Sequence, residues 1–547
     1  MREVATLAAF CAFLFFFGLN SFGLAGPDEP RYAQVAREML ERNDWVTPKL
    51  YGQVWLEKPV LYYWGAQISF RIFGVSDWAA RLPSAVLATL LVAAVYLFAR
   101  RFRPGAEMEA ALITASSAAW LGFARGVSTD LPLAATFSMA MLSWFAWRET
   151  QHRRWLAAFY SFLGLAMLAK GPVAPFLAGA IVLAFAVVQR DSRLALRTLW
   201  LPGIGIFFAV AAPWYVAVQL RNPEFFRVFI VEHNLARFST DVFRHAQPFW
   251  FYLPVLLLGL MPWAAAVIAV VAEALRDWRS GVRDSLTEFL LIWAALPVVF
   301  FSISQSKLPG YILPAFPPLL LLAGVEVGRR LKEGRSAGLL FQLSHAALLG
   351  VVTGALLLVP YAVLRPRPTV PDEIKIAAAV IGVVMFGAAF VSLRRYGLAL
   401  LRLVTLAPVI VALAFLLRIE GPVLDAALST RPVAEDLQRL GINAAGDGRA
   451  TQDGRAGQRP GATQAQLAVF QAHRNVEYGL AFYRNQPVKR YERGEVPVGD
   501  HLLLVPEGRL AEVAKLVPGR RWSRVGGFAP QSLGYFWVTN ETRHRGH

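Results

Sequence analysis

The chain has 547 residues, of which 56% are hydrophobic, 13% aromatic and 17% charged, with a formal net charge of +18 and a single cysteine. Low charge with high aromatic content excludes a disordered chain. The lone Cys11 excludes an intrachain disulfide and a Cys-based zinc site, and apolar blocks of about 20 residues exclude a string of soluble domains. The basic balance raises nucleic acid as a partner, so the placement of the charges decides its meaning.

About thirteen apolar blocks predict membrane spans. They lie near 4–24, 78–99, 109–124, 131–147, 155–170, 172–189, 200–220, 248–272, 286–303, 311–328, 337–364, 374–393 and 397–417. The first, ending near Ala25-Gly26, could be a signal peptide. Its short charged start and long apolar block favour an uncleaved span. Pro and Gly interrupt several blocks, as at Lys170-Gly171-Pro172, and irregular backbone at membrane depth needs shielding by protein or a cavity. Arginine-rich connections recur at every second position: Arg100-Arg101-Phe102-Arg103, Arg148 with Arg153-Arg154, Arg190 to Arg197, Arg276 to Arg283, Arg329-Arg330, and Arg394-Arg395. The positive-inside rule places these in the cytoplasm, with the N-terminus inside and the C-terminal region outside. Much of the +18 is then orientation charge, and nucleic acid is not expected as a partner.

The first outward loop, 25–77, concentrates acids and bases. It opens with Pro27-Asp28-Glu29-Pro30-Arg31-Tyr32, followed by a helical pattern suited to the membrane surface. Asp28 or Glu29 could cap that helix, with Pro30 in its first turn. Two acids followed at once by Arg31 and Tyr32 also suit a reaction site. Next comes Trp55-Leu56-Glu57-Lys58-Pro59. Lys58 sits at a predicted helix start, where the dipole disfavours a cation and a phosphate would relieve the conflict. An interfacial lysine among aromatics is the plainer reading.

The outward loop 221–247 carries Glu232-His233-Asn234-Leu235-Ala236-Arg237-Phe238. His233 and Arg237 share a face if helical. A neutral His233 near Glu57 could hold a divalent metal, while Arg237 suits phosphate. Further outward charges are Arg125, Asp130, Lys170 and Lys307. Asp130 could cap the helix that follows it, and Lys307 lies in the shaped run Ser306-Lys307-Leu308-Pro309-Gly310-Tyr311. Gathered on one side of the membrane, these groups suit an anionic, lipid-linked substrate.

After about residue 420 the pattern changes. A short amphipathic helix at 436–440, a Gly/Ala/Arg/Gln-rich loop at 444–466 predicted to be disordered, strand-like runs at 467–470, 488–491, 502–505 and 533–538, and a helix at 510–516 predict a small α/β domain outside the membrane. There is no internal repeat, no GxGxxG after a strand and no Walker A run.

In order along the chain, Asp28-Glu29-x-Arg31-Tyr32, Glu57-Lys58-Pro59, the Glu-His…Arg-Phe run, Pro248-Phe249-Trp250-Phe251-Tyr252 and Lys307-Leu308-Pro309-x-Tyr311-Ile312-Leu313-Pro314 resemble the aminoarabinose transferases of lipid A. These belong to the wider polyprenyl-phosphate-sugar glycosyltransferases related to protein O-mannosyltransferases. The likeness covers roughly residues 1–420. It implies a polytopic α-helical membrane protein of GT-C fold with about thirteen spans in the bacterial inner membrane, and a small periplasmic α/β domain over 421–547. It also implies an undecaprenyl-phosphate-linked sugar donor and lipid A, or another envelope glycan or protein, as acceptor. The roles it suggests are Asp28, Glu29 and Asp130 in catalysis; Arg31, Tyr32, Lys58, Arg237, Lys307 and Tyr311 on donor and phosphate; and Glu57 with His233 on a metal ion. One departure stands out: the family has Glu-His-x-x-Arg-Phe, and here one more residue separates His233 from Arg237. The rival classes are a lipid-linked sugar flippase, for which repeats and midplane charges would be expected, and a structural subunit, which leaves the first-loop motifs unexplained.

Overall fold

The computed structural model describes residues 2–236, 247–334, 338–364, 368–444, 463–516 and 519–540. Of the loop predicted to be disordered at 444–466, residues 445–462 fall outside them, while Ala444 and 463–466 belong to strands instead, paired in the C-terminal sheet. The apolar blocks fold as helices, the conformation that satisfies backbone groups within a segment. Among the described residues, six helical stretches are long and apolar enough to cross a membrane: Asp77–Phe102, Leu201–Arg221, Ser285–Ile303, Pro309–Lys332, Leu339–Leu356 and Asp372–Arg418. A seventh, Phe249–Gly259 with Ala264–Arg279, bends by 116°.

The other blocks predicted to span are helical as well, but shorter, broken or more polar. Val173–Val188 has 16 residues, and Arg153–Lys170 carries charge at both ends. Glu107–Ser116 and Ala118–Ala124 part at Ser117. That break is stitched to the bend after Gly259: Ala118 N donates to Met261 O at 2.8 Å, and Trp263 Nε1 donates to Ser116 Oγ at 2.9 Å.

The block at 4–24 departs most from expectation. It is helical only over Arg2–Cys11 and the π-turn Ala12–Phe16, and it becomes extended at Phe17. Unwound backbone in a buried setting needs partners, and two arginines supply them. Arg125 donates to Leu14 O and Gly18 O, each at 2.9 Å. Arg81, 1% exposed, donates to Leu19 O, Phe22 O and Gly23 O at 2.7–2.8 Å.

Three of the arginine-rich connections, at 100–103, 276–283 and 329–330, meet at the other end of the bundle. There Arg103 pairs with Asp284 at 2.5 Å, Arg283 with Glu288 at 2.7 Å, and Arg330 with Glu273.

The C-terminal segment forms a mixed six-stranded sheet. Its central order is Ile442–Ala444, Thr463–Val469, His501–Pro506, Leu533–Asn540, Arg520–Phe528, and Val488–Arg490 also pairs with Thr463–Val469. The first pairings are parallel, and the last two strands run antiparallel. The strand Arg520–Phe528 and the helix Arg474–Arg484 were not among the predicted elements. The helix has Val476 and Leu480 at helical spacing, a signal present in the sequence, and both are buried.

Removing Arg81 takes from Glu29 its cation and from three carbonyls their donor, and breaking a buried ion pair costs about 3–5 kcal/mol. Arg81→Ala is expected to destabilise the detergent-solubilised protein by that order in thermal or denaturant unfolding. An Arg81→Ala protein as stable as wild type would show that the carbonyls find other partners.

Candidate active site

The first loop builds the site from three pieces. The surface helix is Asp28–Glu41, entered from Pro27, which offers no side-chain cap. A short hairpin follows, Lys49–Leu50 against Gln53–Val54. Its turn residues Tyr51 and Gly52 both have positive φ, 56° and 76°, the backbone that two-residue hairpin turns require. Glu38 on the surface helix takes both turn amides, Tyr51 N at 2.7 Å and Gly52 N at 3.0 Å. That clamp fixes the start of the run Trp55–Lys58. The third piece is the helix Leu61–Phe73, whose Tyr62 and Tyr63 pack edge-on against each other and beside Tyr32.

The two adjacent acids do different jobs, and neither caps the helix. Glu29 is committed to structure: Oε2 accepts from Ala25 N at 2.9 Å and Arg81 Nη2 at 2.7 Å, and Oε1 accepts from Val127 N at 3.0 Å. Asp28, with its side chain 57% exposed, faces out and accepts from Arg31 Nη2 at 2.7 Å. Arg31 also lies 3.6 Å from Glu57, and Lys58 Nζ lies 4.0 Å from the same carboxylate. The site is therefore a chain of alternating charge, Asp28, Arg31, Glu57, Lys58, walled by aromatic rings. Burial works against the charge on Arg31, but the Glu57 and Asp28 carboxylates more than offset it and hold the guanidinium protonated. Burial pushes the Tyr32 phenol well above its ordinary value, so it remains a proton donor.

A second cluster lies beyond the Val127 amide that Glu29 holds. Asp130 stands in the first turn of the helix Asp130–Thr150 and pairs with Lys170, whose ammonium sits 4.3 Å from the centre of the Tyr311 ring. Gly310 lets the loop approach so closely that a Cβ there would meet Asp130 Oδ2 at 2.5 Å. Lys307 is buried and donates to Ser304 O at 2.6 Å, which makes it a brace of this loop. Gly171, with φ of +88°, leaves room for Phe229 from the π-helix Phe226–Ala236, the element that carries His233. The His233 side chain and Arg237 lie outside the described residues. Among the described residues no group of three or more His, Cys, Asp or Glu could hold a metal ion; Glu57 faces two cations instead.

A cavity of about 860 Å³ opens at the arginine-rich end, lined in part by Arg103, Glu273, Trp278, Asp284, Glu326 and Lys332. None of the first-loop acids borders it.

Sequence reasoning missed Arg81, the partner that separates Glu29 from Asp28. A charge inside an apolar block was the available signal. It also missed Tyr478 of the helix Arg474–Arg484, whose ring lies 5.5 Å from the Arg31 guanidinium.

Against known proteins, residues 57–216 match the family described as dolichyl-phosphate-mannose-protein mannosyltransferase. The undecaprenyl phosphate-α-4-amino-4-deoxy-L-arabinose arabinosyl transferase of Aeromonas hydrophila is 31% identical over 497 residues, 87% of this chain and 87% of that protein. The chain belongs to that family of glycosyltransferases. A second member, from Pseudomonas fluorescens, is 34% identical over 326 residues, and this alignment spans 58% of the chain and 55% of that protein. The crystal structure of ArnT from Cupriavidus metallidurans bound to undecaprenyl phosphate matches with a TM-score of 0.76 at 22% identity, covering 100% of this chain and 99% of that one. The fold is thus that of a multi-pass GT-C membrane protein.

The unequal roles of the two acids give a simple expectation. Glu29→Gln weakens the link to Arg81 and lowers the unfolding temperature in detergent, whereas Asp28→Asn, at an exposed carboxylate, leaves it within a degree or two of wild type, as is usual for surface substitutions. The reverse order would refute this division of labour.

Proposed function

We propose that the chain moves 4-amino-4-deoxy-L-arabinose from undecaprenyl phosphate to lipid A, in the bacterial inner membrane. The N-terminus then faces the cytoplasm, and the site and the C-terminal domain face the periplasm. The observation that carries the reading is the exposed Asp28 carboxylate tethered to Arg31 within reach of Glu57 and Lys58. The family membership and the arginine-rich opposite end support it.

In the reaction, the bond between sugar C1 and the lipid phosphate oxygen breaks, with its electron pair leaving on the phosphate. An acceptor oxygen forms the new bond to C1. Positive charge develops on the sugar ring, as in other glycosyl transfers, and Asp28 is the carboxylate placed to face it. Lys58 and Arg237 take the leaving phosphate, where cations fixed in advance stabilise charge as it develops. Arg31 holds Asp28 and Glu57 in register, and Glu57 keeps the two cations from repelling one another. Glu29 acts at one remove, by fixing the helix that presents Asp28. Asp130 and Lys170, with Tyr311 beneath, form the second polar wall, and Lys307 shapes it. A lipid A phosphate is largely ionised near neutral pH and needs little help to lose a proton, whereas a hydroxyl acceptor would need Asp28 as base.

With a labelled aminoarabinosyl donor and detergent-purified protein, Asp28→Asn is expected to lower transfer by about 10²-fold or more, and Lys58→Ala by about 10²-fold. Wild-type rates in both would remove the site. Mass spectrometry of lipid A from cells with and without the protein checks the acceptor: an added aminoarabinose supports lipid A, and an unchanged profile overturns it.

A further inference from the structure

The Arg31 guanidinium lies in a box of three aromatic rings: Tyr32 at 5.1 Å, Trp55 at 5.5 Å and Tyr478 at 5.5 Å. Two walls come from the first loop. The third comes from the C-terminal domain, far away in the chain.

Tyr478 is held firmly from both sides. Its neighbour Glu477 is fully buried and paired with Arg490 at 2.7 Å and Arg493 at 3.4 Å. The next residue, Gly479, sits so close to Thr430 that a Cβ would meet its hydroxyl at 2.3 Å. The same helix is bonded to the first loop and the bundle. Arg37 donates to Phe482 O at 2.9 Å, Asn485 to Glu41 at 3.0 Å, and the Tyr483 hydroxyl to Asp77 at 2.7 Å while accepting from Leu24 N at 2.6 Å. Arg431 reaches the other oxygen of Asp77 at 2.9 Å. Tyr478 and Phe482 are buried in one apolar cluster with Val35, Ala36 and Met39 of the surface helix.

We propose that Tyr478 is a positioning residue for Arg31, so that the C-terminal domain completes the active site as its third wall. A guanidinium attracted to three ring faces has fewer orientations open to it, and its two carboxylate contacts, Asp28 and Glu57, inherit that order. The Tyr478 ring touches Arg31 and acts through it. This inference rests on the reading of Asp28 and Arg31 as site residues.

The test is a double-mutant cycle on the full-length protein in detergent, measuring kcat and donor KM. Tyr478→Leu is expected to lower kcat roughly tenfold with little change in KM, and Tyr478→Phe, which keeps the ring face, to retain most of the wild-type rate. In an Arg31→Gln background, Tyr478→Leu should add less than about a twofold loss, because its path is already cut. An equal loss in both backgrounds, or full activity in Tyr478→Leu, overturns the proposal. If Tyr478→Leu unfolds, the decision falls to Tyr478→Phe against Tyr478→Trp and Tyr478→Met, where loss must follow the missing ring. If the wild type itself transfers no aminoarabinose, the proposed reaction is wrong. The same cycle is then read in affinity for undecaprenyl phosphate, where additivity overturns the coupling.

Discussion

The first loop depends on one buried ion pair. Arg81, inside a membrane-crossing helix, reaches Glu29 at 2.7 Å and three carbonyls of the unwound segment before it. A charge taken out of water is costly unless paired and hydrogen-bonded, and here one guanidinium and one carboxylate satisfy each other and five backbone groups between them. That contact holds the unwound segment from Leu19 to Gly23 against the surface helix, and through Val127 it ties the loop that leads to Asp130. Asp28, the carboxylate proposed to react, is the neighbour of the structural one, so its position is set by a contact it does not make.

Electrostatic order at the site follows from alternation. Asp28, Arg31, Glu57 and Lys58 run acid, base, acid, base through space as well as along the sequence. Each cation lies near a carboxylate, so the group can sit in a partly buried, ring-lined place without a large net charge. The arginines of the opposite end are likewise cross-paired, with Asp284, Glu288 and Glu273.

Much of this was legible in the residues. The motif order was legible through its resemblance to the aminoarabinose transferases, and the placing of Asp28, Arg31, Glu57 and Lys58 in one loop through the apolar blocks that flank it. What stayed hidden depends on contacts between distant parts. Asp28 and Glu29 are equivalent as letters, and only Arg81 tells them apart. The block at 4–24 is apolar enough for a full span, but hydropathy does not register side chains that donate to carbonyls. The Tyr51-Gly52 turn was hidden between two strands of two residues each, too short to show alternation. Tyr478 belongs to a helix whose pattern was readable but whose partner was not.

The contact between Arg37 and Phe482 joins residues 445 positions apart. At ordinary synthesis rates that separation corresponds to roughly 20–90 s. Throughout that interval the surface helix, the hairpin and the aromatic trio of the first loop stand with one side uncovered, and their apolar face must be tolerated by lipid, by a chaperone or by the loop itself. Closing so long a connection is slow. The contact between the surface helix and the C-terminal domain thus forms late in the life of each molecule.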